Sequence, residues 1–464
     1  MPTAVCWLRR DLRLHDHRAL RAACAEADAV VPLFVLDPAL VRGARVSRAR
    51  LVYLSDALAD LDARLRRRGG RLVVRHGDPA EVVPALAAEV GADTVHWHRD
   101  ATPYAATREA RVTAALDREG IAHREHDGVV IQPPGSVLTK GGAPFKVYTP
   151  FARAWRAQGV APPAAEPGRV AVPDAVASAA LPAPADLGAS EADRALPGGE
   201  GPGLERLERF LDGPIEVYDR SRDLLATDGT SRLSADLHYG TVSPRQVWAG
   251  LAEADAHRAF ADELIFREFY HHVLAAWPET AATEWSARFR DLPWGGPGPE
   301  LDAWAAGRTG YPIVDAGMRQ LAATSWMHNR ARMIVASFLC KDLLIDWRHG
   351  EAHFLRHLVD GDIASNNGGW QWAAGTGTDA QPYFRIFNPV RQGERFDPDG
   401  AYVRRWVPEL AEVPTRWVHA PWTLGPLEQQ AAGCVLGRDY PEPIVDHAAA
   451  RQRALDWFAT HARD

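Results

Sequence analysis

The sequence is poor in cysteine and lysine, and the few, scattered cysteines exclude two kinds of site. Its 464 residues include four cysteines, far apart, with no CxxC pair and no histidine cluster at zinc spacing: Cys6, Cys24, Cys340 and Cys434. We therefore expect buried thiols, with neither a disulfide framework nor a metal site. Lysine occurs only at Lys140, Lys146 and Lys341, so arginine carries almost all of the positive charge. We attribute that bias to a GC-rich coding sequence.

Long apolar runs are also missing. No charge-free stretch is long enough for a transmembrane helix, and two arginines, Arg9 and Arg10, come too early for the apolar region of a signal peptide. We therefore expect a cytoplasmic protein with no membrane partner, and separately we expect a monomer. The net charge of −7 argues only weakly against a nucleic-acid partner, because a local arginine-rich face suffices for binding.

The length and the hydrophobic pattern predict two domains. A chain of 464 residues exceeds what one core usually supports. Short apolar runs at 4–8, 30–36, 72–74 and 94–97 alternate with helical patterns such as 51–68, where leucines recur every three or four residues. This alternation predicts a Rossmann-like domain over residues 1–132, with a doubly wound parallel sheet.

The rest of the chain shows a different pattern. Residues 133–202 are predicted to be a linker, since the stretch from 160 is dominated by Ala, Pro and Gly. Residues 203–464 are predicted to be all-helical, with helices at 203–211, 244–254, 260–277, 314–323, 329–347 and 352–359. The expected fold class is therefore α/β followed by all-α, without internal repeats.

The segment 360–388, DGDIASNNGGWQWAAGTGTDAQPYFRIFN, is unusually polar and rich in glycine and tryptophan. Glycine lets the backbone approach a ligand, amides both donate and accept, and indole rings offer flat surfaces. The alternative is a long surface loop with a few core tryptophans. We favour a ligand site, because burying uncharged amides without partners is costly.

Three segments together resemble the FAD-binding domain of the photolyase/cryptochrome family: 231–244 (SRLSADLHYGTVSP), 263–272 (ELIFREFYHH) and 360–388. The resemblance extends from 7–20 (WLRRDLRLHDHRAL) to 384–410 (FRIFNPVRQGERFDPDGAYVRRWVPEL). It is greatest to bacterial class I cyclobutane pyrimidine dimer photolyases. The resemblance implies FAD in its reduced form, FADH⁻, bound by the helical domain.

Specific residues match the family's FAD contacts. They are Tyr218, Thr230, Ser231, Arg232, Leu233, Ser234, Arg332, Asp360, Asp362 and Asn366. The resemblance implies that Arg332 pairs with Asp360 and that Asn366 faces flavin N5. An amide there can accept a hydrogen bond from N5–H. Plant-type cryptochromes carry aspartate at this position, so Asn366 favours a repair enzyme. An ordinary N-cap at 230–234, or a loop-capping asparagine, is the alternative reading of these residues.

The resemblance also assigns lesion and catalytic contacts. Glu263, Asn329, Met333 and Asn366 match catalytic positions, and Arg222, Glu263, Phe266, Asn329, Met333 and Trp372 match positions that bind damaged DNA. Enzymes of the (6-4) class place histidine where Asn329 and Met333 stand, so a cyclobutane dimer is the expected substrate. The chain departs from the pattern at Phe266, where bacterial relatives usually have tryptophan, which puts the strength of lesion binding in doubt.

Two further assignments concern light. Trp370, Trp347 and Trp294 match the family's electron-transfer chain, with Trp370 nearest the flavin and Trp294 nearest solvent; core packing is the alternative role of each. Residues 97–112 resemble the subgroup whose antenna is 8-hydroxy-5-deazaflavin, with Asp100 and Arg50 as contacts. A methenyltetrahydrofolate antenna or an empty pocket is the alternative.

The resemblance therefore implies light-dependent DNA repair. One electron from light-excited reduced FAD splits a flipped-out pyrimidine dimer in UV-damaged DNA and then returns. The first alternative is a blue-light-sensing cryptochrome that signals through a protein partner. The second, a dinucleotide-dependent oxidoreductase, is disfavoured because no GxGxxG follows the first apolar run.

Overall fold

The computed structural model describes residues 2–43, 45–380 and 382–462. The chain forms two compact units. Unit 1 comprises Met1–Asp219, Thr230–Pro278 and Val359–Ala364, and unit 2 comprises Arg220–Gly229, Glu279–Leu358 and Ser365–Asp464. These units do not follow the bounds 1–132, 133–202 and 203–464, which stay a prediction.

Unit 1 contains a five-stranded parallel sheet. Its strands are β1 (Thr3–Leu8), β2 (Ala29–Leu36), β3 (Val73–His76), β4 (Thr94–His98) and β5 (Ala122–His126), in the order β3-β2-β1-β4-β5. Alternate residues of β1 enter two different cores, Cys6 on one face and Trp7 on the other, because successive strand residues point to opposite faces. The strand order reverses at β1, which makes the boundary between β1 and β4 the switch point of the sheet.

Helices cover this sheet and continue beyond it. In chain order they are α1 (Arg18–Glu26), α2 (Pro38–Val41), α3 (Arg48–Arg67), α4 (Pro79–Glu89), α5 (Pro103–Arg118), α6 (Tyr148–Ala157), α7 (Glu200–Leu211), α8 (Tyr218–Ser221), α9 (Ser234–Tyr239), α10 (Pro244–Ala249) and α11 (Asp255–Ala276). The predicted linker packs along the sheet, since Val170 N donates to Arg68 O and Ala179 N to Val74 O.

Unit 2 is helical. Its helices are α12 (Pro299–Ala305), α13 (Pro312–Thr324), α14 (Asn329–Ser337), α15 (Trp347–His357), α16 (Ile363–Ala374, of which the first two residues belong to unit 1), α17 (Pro389–Phe396), α18 (Ala401–Trp406), α19 (Thr415–Val418), α20 (Pro426–Ala431) and α21 (His447–His461). Short 3-10 helices and one π-helix, Phe338–Asp342, connect them. The predicted fold class, α/β plus all-α, is confirmed.

One helix prediction was wrong. The pattern at 329–347 predicted a single helix, but α14 ends at Ser337, the π-helix follows, and Leu344 has a left-handed φ of 55°. Asp346 then caps α15 by accepting a hydrogen bond from Arg348 N at 2.9 Å. Apolar residues continue through this break, so hydrophobic spacing alone could not reveal it.

In the described part of the chain, none of the helices combines the length and apolar character needed to cross a bilayer. All four cysteines are free thiols, and Cys24 alone among them is only partly buried.

Candidate active site

Asp362 is the centre of a buried charged network in unit 1. Arg10, which follows β1, donates to Asp362 Oδ2 at 2.5 Å and lies 3.4 Å from Asp100 Oδ2. Burial alone would raise the pKa of the Asp362 carboxyl, but its interactions with His271, Arg10 and His238 outweigh burial and hold the pKa well below its usual value. Asp362 is therefore an anion at neutral pH, bound to a permanent cation.

Two histidines complete this network. His238 Nδ1 lies 3.8 Å from Asp362 Oδ2, and His271 Nε2 lies 3.6 Å from Asp362 Oδ1. Burial lowers the pKa of His238 to about 4 and that of His271 to about 3, so both rings are neutral at pH 7. Neither ring nitrogen of His271 has a hydrogen-bond partner among the described residues. Such a buried polar ring normally has a partner, which indicates that this region receives a further group.

The residues predicted for the antenna join the same network. Arg50 Nη1, on α3, donates to Gly361 O at 2.8 Å, and Gly361 stands between Asp360 and Asp362. Asp100 lies two residues after β4 and accepts from Thr102 N at 3.1 Å. Arg50 therefore anchors the segment that carries the two carboxylates, an interaction that its predicted antenna role did not include.

The stretch 230–234 leads into the short helix α9, whose first residue is Ser234. Arg232 adopts a left-handed φ of 52°, and Ser231 Oγ accepts from Leu233 N at 3.4 Å. Leu233 is buried, Thr230 and Ser231 are partly buried, and Arg232 and Ser234 are exposed. Tyr218, at the start of α8, is buried with its ring edge-on to Phe210 and Phe260.

Helix α11 carries Glu263 and Phe266 one turn apart, and both are partly buried. The ring of Phe266 stacks on Tyr148 with centroids 3.7 Å apart and planes 17° apart. Phe266, the predicted lesion contact, therefore already stacks on Tyr148 of α6. Nothing in the sequence indicated this contact.

In unit 2, α16 presents uncharged groups. Asn366 Nδ2 donates to Glu351 O at 3.1 Å, which leaves the amide oxygen as the acceptor for another group. Gly369 lies one turn further on and is exposed, and a Cβ built there would meet no atom within 4 Å. The helix thus offers an acceptor beside open space, an arrangement suited to the edge of a planar ring.

The three tryptophans of the predicted electron-transfer chain differ in burial. Trp370 and Trp347 are fully buried, whereas Trp294 is partly buried and contacts Trp457 with centroids 4.8 Å apart. Trp347 Nε1 donates to Glu284 Oε1 at 3.2 Å. A Cβ on Gly350 would lie only 2.0 Å from Trp370 Cη2, so glycine is required there. Trp294 is therefore the most exposed of the three, and both their order and their electron-transfer role stay predictions.

The remaining predicted residues lie in unit 2. Asn329 is exposed at the start of α14, Met333 is partly buried one turn later, and Arg332 Nε donates to Met327 O at 2.8 Å. Arg222 and Trp372 are partly buried, and Trp372 packs against the core of unit 2. The pairing of Arg332 with Asp360 stays a prediction, as do the binding roles of all these residues.

Two groups of side chains in unit 1 have the proximity of metal ligands, which the sequence did not predict. In the first, Asp11 Oδ2 lies 2.7 Å from His98 Nδ1 and 3.2 Å from His17 Nε2, while Leu20 N and Ala19 N donate to the other ring nitrogens. Each lone pair of these imidazoles is already used, so the group is a hydrogen-bonded carboxylate. The second, His15 with Glu166 and Glu200, is a partly exposed ion network.

Comparison with known proteins identifies the class. Residues 4–168 match the family described as DNA photolyase, and residues 260–460 match the FAD binding domain of DNA photolyase. The chain is 47% identical over 98% of its length, and 98% of the relative's, to a deoxyribodipyrimidine photo-lyase of Streptomyces griseus.

Solved structures agree with this. A class III photolyase from Agrobacterium tumefaciens is similar with a TM-score of 0.92 at 40% identity, covering 99% of this chain and 98% of that one. A Synechocystis cryptochrome is similar with a TM-score of 0.93 at 30% identity, covering 98% and 99%. The chain belongs to the photolyase/cryptochrome family.

In each unit, taken by itself, the residues fit a part of the family's FAD. His271 is buried without a hydrogen-bond partner in the described chain, and so is Trp370 Nε1 on α16. Asn366 supplies an acceptor and Gly369 supplies space. The charged network suits the polar portion of a dinucleotide, and the uncharged helix suits a ring system.

Sequence reasoning missed Arg10, His238, His271, Gly350 and Tyr148. Arg10 and His238 did lie within the quoted motifs 7–20 and 231–244, and His271 within 263–272, so their presence was visible. Their convergence on Asp362 was not, because the partners are separated by up to 352 residues along the chain.

Proposed function

We propose that the protein is a deoxyribodipyrimidine photo-lyase that uses FAD and light to split cyclobutane pyrimidine dimers in UV-damaged DNA. The observation that carries the proposal is the neutral amide of Asn366, with its nitrogen on Glu351 O and its oxygen available to the flavin edge. Full-length similarity to a relative named deoxyribodipyrimidine photo-lyase supports it. The cryptochrome alternative has support from the Synechocystis structure, at lower identity.

When bound, reduced FAD supplies an electron under light and recovers it after the dimer has opened. Tyr218, the stretch 230–234, Arg332, Asp360, Asp362 and Asn366 hold this cofactor. Arg10 fixes the orientation of Asp362, and Arg50 fixes the backbone beside it. Asn366 accepts a hydrogen bond at N5, and Trp370, Trp347 and Trp294 carry electrons from the surface during photoreduction.

The DNA-facing residues bind and orient the lesion. Glu263 shares a proton with the damaged pyrimidine, and Asn329 and Met333 contact the dimer. Phe266 and Trp372 offer aromatic surface to bases that have left the stack. Arg222 binds a phosphate, which makes affinity depend on salt. Flipping a dimer costs less than flipping paired bases, because the lesion is already poorly stacked.

An antenna chromophore binds at the carboxyl end of the parallel sheet. Asp100 follows β4 and Arg10 follows β1, and these strands flank the point where strand order reverses. Ligands of open parallel sheets bind at this edge. We assign 8-hydroxy-5-deazaflavin in preference to methenyltetrahydrofolate, from the resemblance at 97–112. The absorption spectrum of chromophores extracted from the purified protein distinguishes the two.

The test is repair of an oligonucleotide that contains one thymine dimer. FAD-loaded protein is chemically reduced, mixed with the oligonucleotide and divided between blue light and darkness, and the products are separated chromatographically. Restored thymines are expected only in the light. Protein that retains FAD but repairs no dimer in the light contradicts the proposal and favours the cryptochrome alternative.

A further inference from the structure

The aromatic surface at Phe266 is built from two rings. Tyr148 opens α6, and its ring lies face to face with Phe266 at 3.7 Å. Phe269 meets Phe266 edge-on at 6.3 Å, and Tyr270 lies tilted at 5.9 Å. Phe266 is nevertheless only partly buried. One face of Phe266 is therefore covered by Tyr148, and any lesion contact uses the opposite face or the ring edge.

Tyr148 is itself fixed by its hydroxyl. That group lies 2.9 Å from Asp262 O and 3.0 Å from Asp262 Oδ1, so its single proton has two acceptors on one residue. Burial, followed by the Asp262 carboxylate, raises the pKa of Tyr148, which keeps the hydroxyl protonated as a donor. Arg156, on the same helix as Tyr148, holds Asp262 Oδ1 at 2.8 Å.

These contacts span one turn of α11. The hydroxyl of Tyr148 binds at Asp262, its ring binds at Phe266 four residues later, and Glu263 stands between them. Residues four apart share one face of a helix. A single side chain therefore contacts both the ring of Phe266 and the helical turn that carries Glu263.

We infer that Tyr148 is a positioning residue for lesion recognition, which fixes the plane of Phe266 for the damaged bases. The inference rests on the proposed function, because it takes Phe266 as a lesion contact. Phenylalanine offers less stacking area than tryptophan. A second ring stacked behind it restricts its rotation, so the smaller surface is presented in one orientation.

The experiment is a set of binding titrations in the dark, at one salt concentration, with FAD-loaded variants. The ligands are a duplex that contains a thymine dimer and the same duplex without it. Tyr148→Ala is expected to weaken binding to the dimer duplex about fivefold, since ordering a freed side chain on binding costs on the order of 1 kcal/mol. Binding to the undamaged duplex and the FAD content are expected to stay unchanged. A general loss of fold would lower all three.

Matched variants separate the ring from the hydroxyl and from the surrounding segment. Tyr148→Phe keeps the stack and is expected to bind the dimer within about twofold of wild type. Phe145→Ala is the control, because this ring precedes α6 by three residues and contacts Phe151 at 6.1 Å. It is expected to leave dimer binding unchanged. If Tyr148→Phe is as weak as Tyr148→Ala, the ring is not what positions Phe266, and the inference fails.

A double-mutant cycle gives the decisive result. If Tyr148 acts through Phe266, the variant with both residues changed to alanine binds the dimer no more weakly than Phe266→Ala alone. Additive losses would overturn the inference. A wild-type protein that does not prefer the dimer duplex contradicts the proposed function instead. A wild-type preference that Tyr148→Ala retains in full contradicts only the role of Tyr148.

Discussion

The two halves of the segment from Asp360 to Trp372 are held by different forces. The first half lies in unit 1, where Asp362 is bound by the charge of Arg10 and lies close to the partly buried His238 and the buried His271. The second half lies in unit 2, where Asn366, Trp370 and Trp372 are placed by an amide hydrogen bond and by apolar packing. The first half therefore suits binding of a charged cofactor, and the second suits chemistry in a neutral environment.

This difference predicts that substitutions in the two halves impair different properties of the protein. Changes among the charged residues should release the cofactor or destabilise unit 1, because an unpaired buried charge is costly. Changes among the neutral residues should retain the cofactor and alter photoreduction of FAD or repair under light. The following predictions test that contrast.

The largest effect is expected from Trp370→Phe. Trp370 is fully buried against Phe354 and Gly350, so phenylalanine fits the space, and under the proposed role of Trp370 the substitution interrupts electron transfer to the flavin. We expect photoreduction of oxidised FAD to be abolished, while chemically reduced enzyme repairs dimers at nearly the wild-type rate. Photoreduction is measured by flavin absorbance during blue illumination with an external thiol. Repair is measured by chromatography of the products. Wild-type photoreduction would show that electrons travel through other residues.

The next largest effect is expected from Asp362→Asn. This change removes one of the two carboxylates beside the partly buried Arg10 and leaves Asp100 at 3.4 Å as the other, so the loss is expected to be smaller than the cost of breaking an isolated buried ion pair, about 3–5 kcal/mol. We expect the ratio of bound FAD to protein to fall sharply and the thermal midpoint to decrease. Asp399→Asn, at an exposed position, is the control. If Asp362→Asn still binds FAD fully, the charged network is not needed for cofactor binding.

An effect of intermediate size is expected on folding stability when the pH falls. The pKa of His271 is about 3 in the folded chain and about 6.5 when unfolded, so the unfolded state binds the extra proton below pH 6.5. Stability is therefore full above pH 6.5 and falls as the pH drops toward 3, by about 2 kcal/mol between pH 6.5 and 5 for one such histidine. His271→Gln should flatten this decline, measured by denaturant unfolding at pH 7 and pH 5. An unchanged decline would mean that His271 is protonated in the folded protein.

The smallest effect is expected from Glu263→Gln. The amide keeps the shape of the side chain but cannot share a proton with the damaged pyrimidine. We expect repair per absorbed photon to fall several-fold, while dimer binding in the dark is retained. Glu253→Gln, at an exposed position, serves as the comparison. Equal repair by Glu263→Gln and wild type would exclude Glu263 from the mechanism.

The hydrophobic pattern was sufficient where most of an element is buried. The four predicted strands correspond to β1–β4, and the leucine stripe at 51–68 corresponds to α3. Strand β5 was not predicted, because it is a mostly polar edge strand, AHREH, with little burial. The break between α14 and α15 was missed for the opposite reason, since apolar residues continue through it.

The site was predictable only as a set of residues. Motif resemblance indicated Asp362, Asn366 and Phe266, but it did not reveal which side chains hold them. Arg10 reaches Asp362 across 352 residues, and Tyr148 stacks on Phe266 from another helix. Such contacts depend on how the helices and strands pack, which local sequence does not specify.

The contrast between the two halves is tested most directly by measuring bound FAD and repair per bound FAD in two variants, Asp362→Asn and Asn366→Asp. The account predicts that Asp362→Asn loses FAD but repairs normally for each FAD that remains. It predicts that Asn366→Asp retains FAD and loses repair per FAD, because a carboxylate replaces the neutral acceptor. The reverse pattern, with FAD lost from Asn366→Asp and repair per FAD lost in Asp362→Asn, would contradict it.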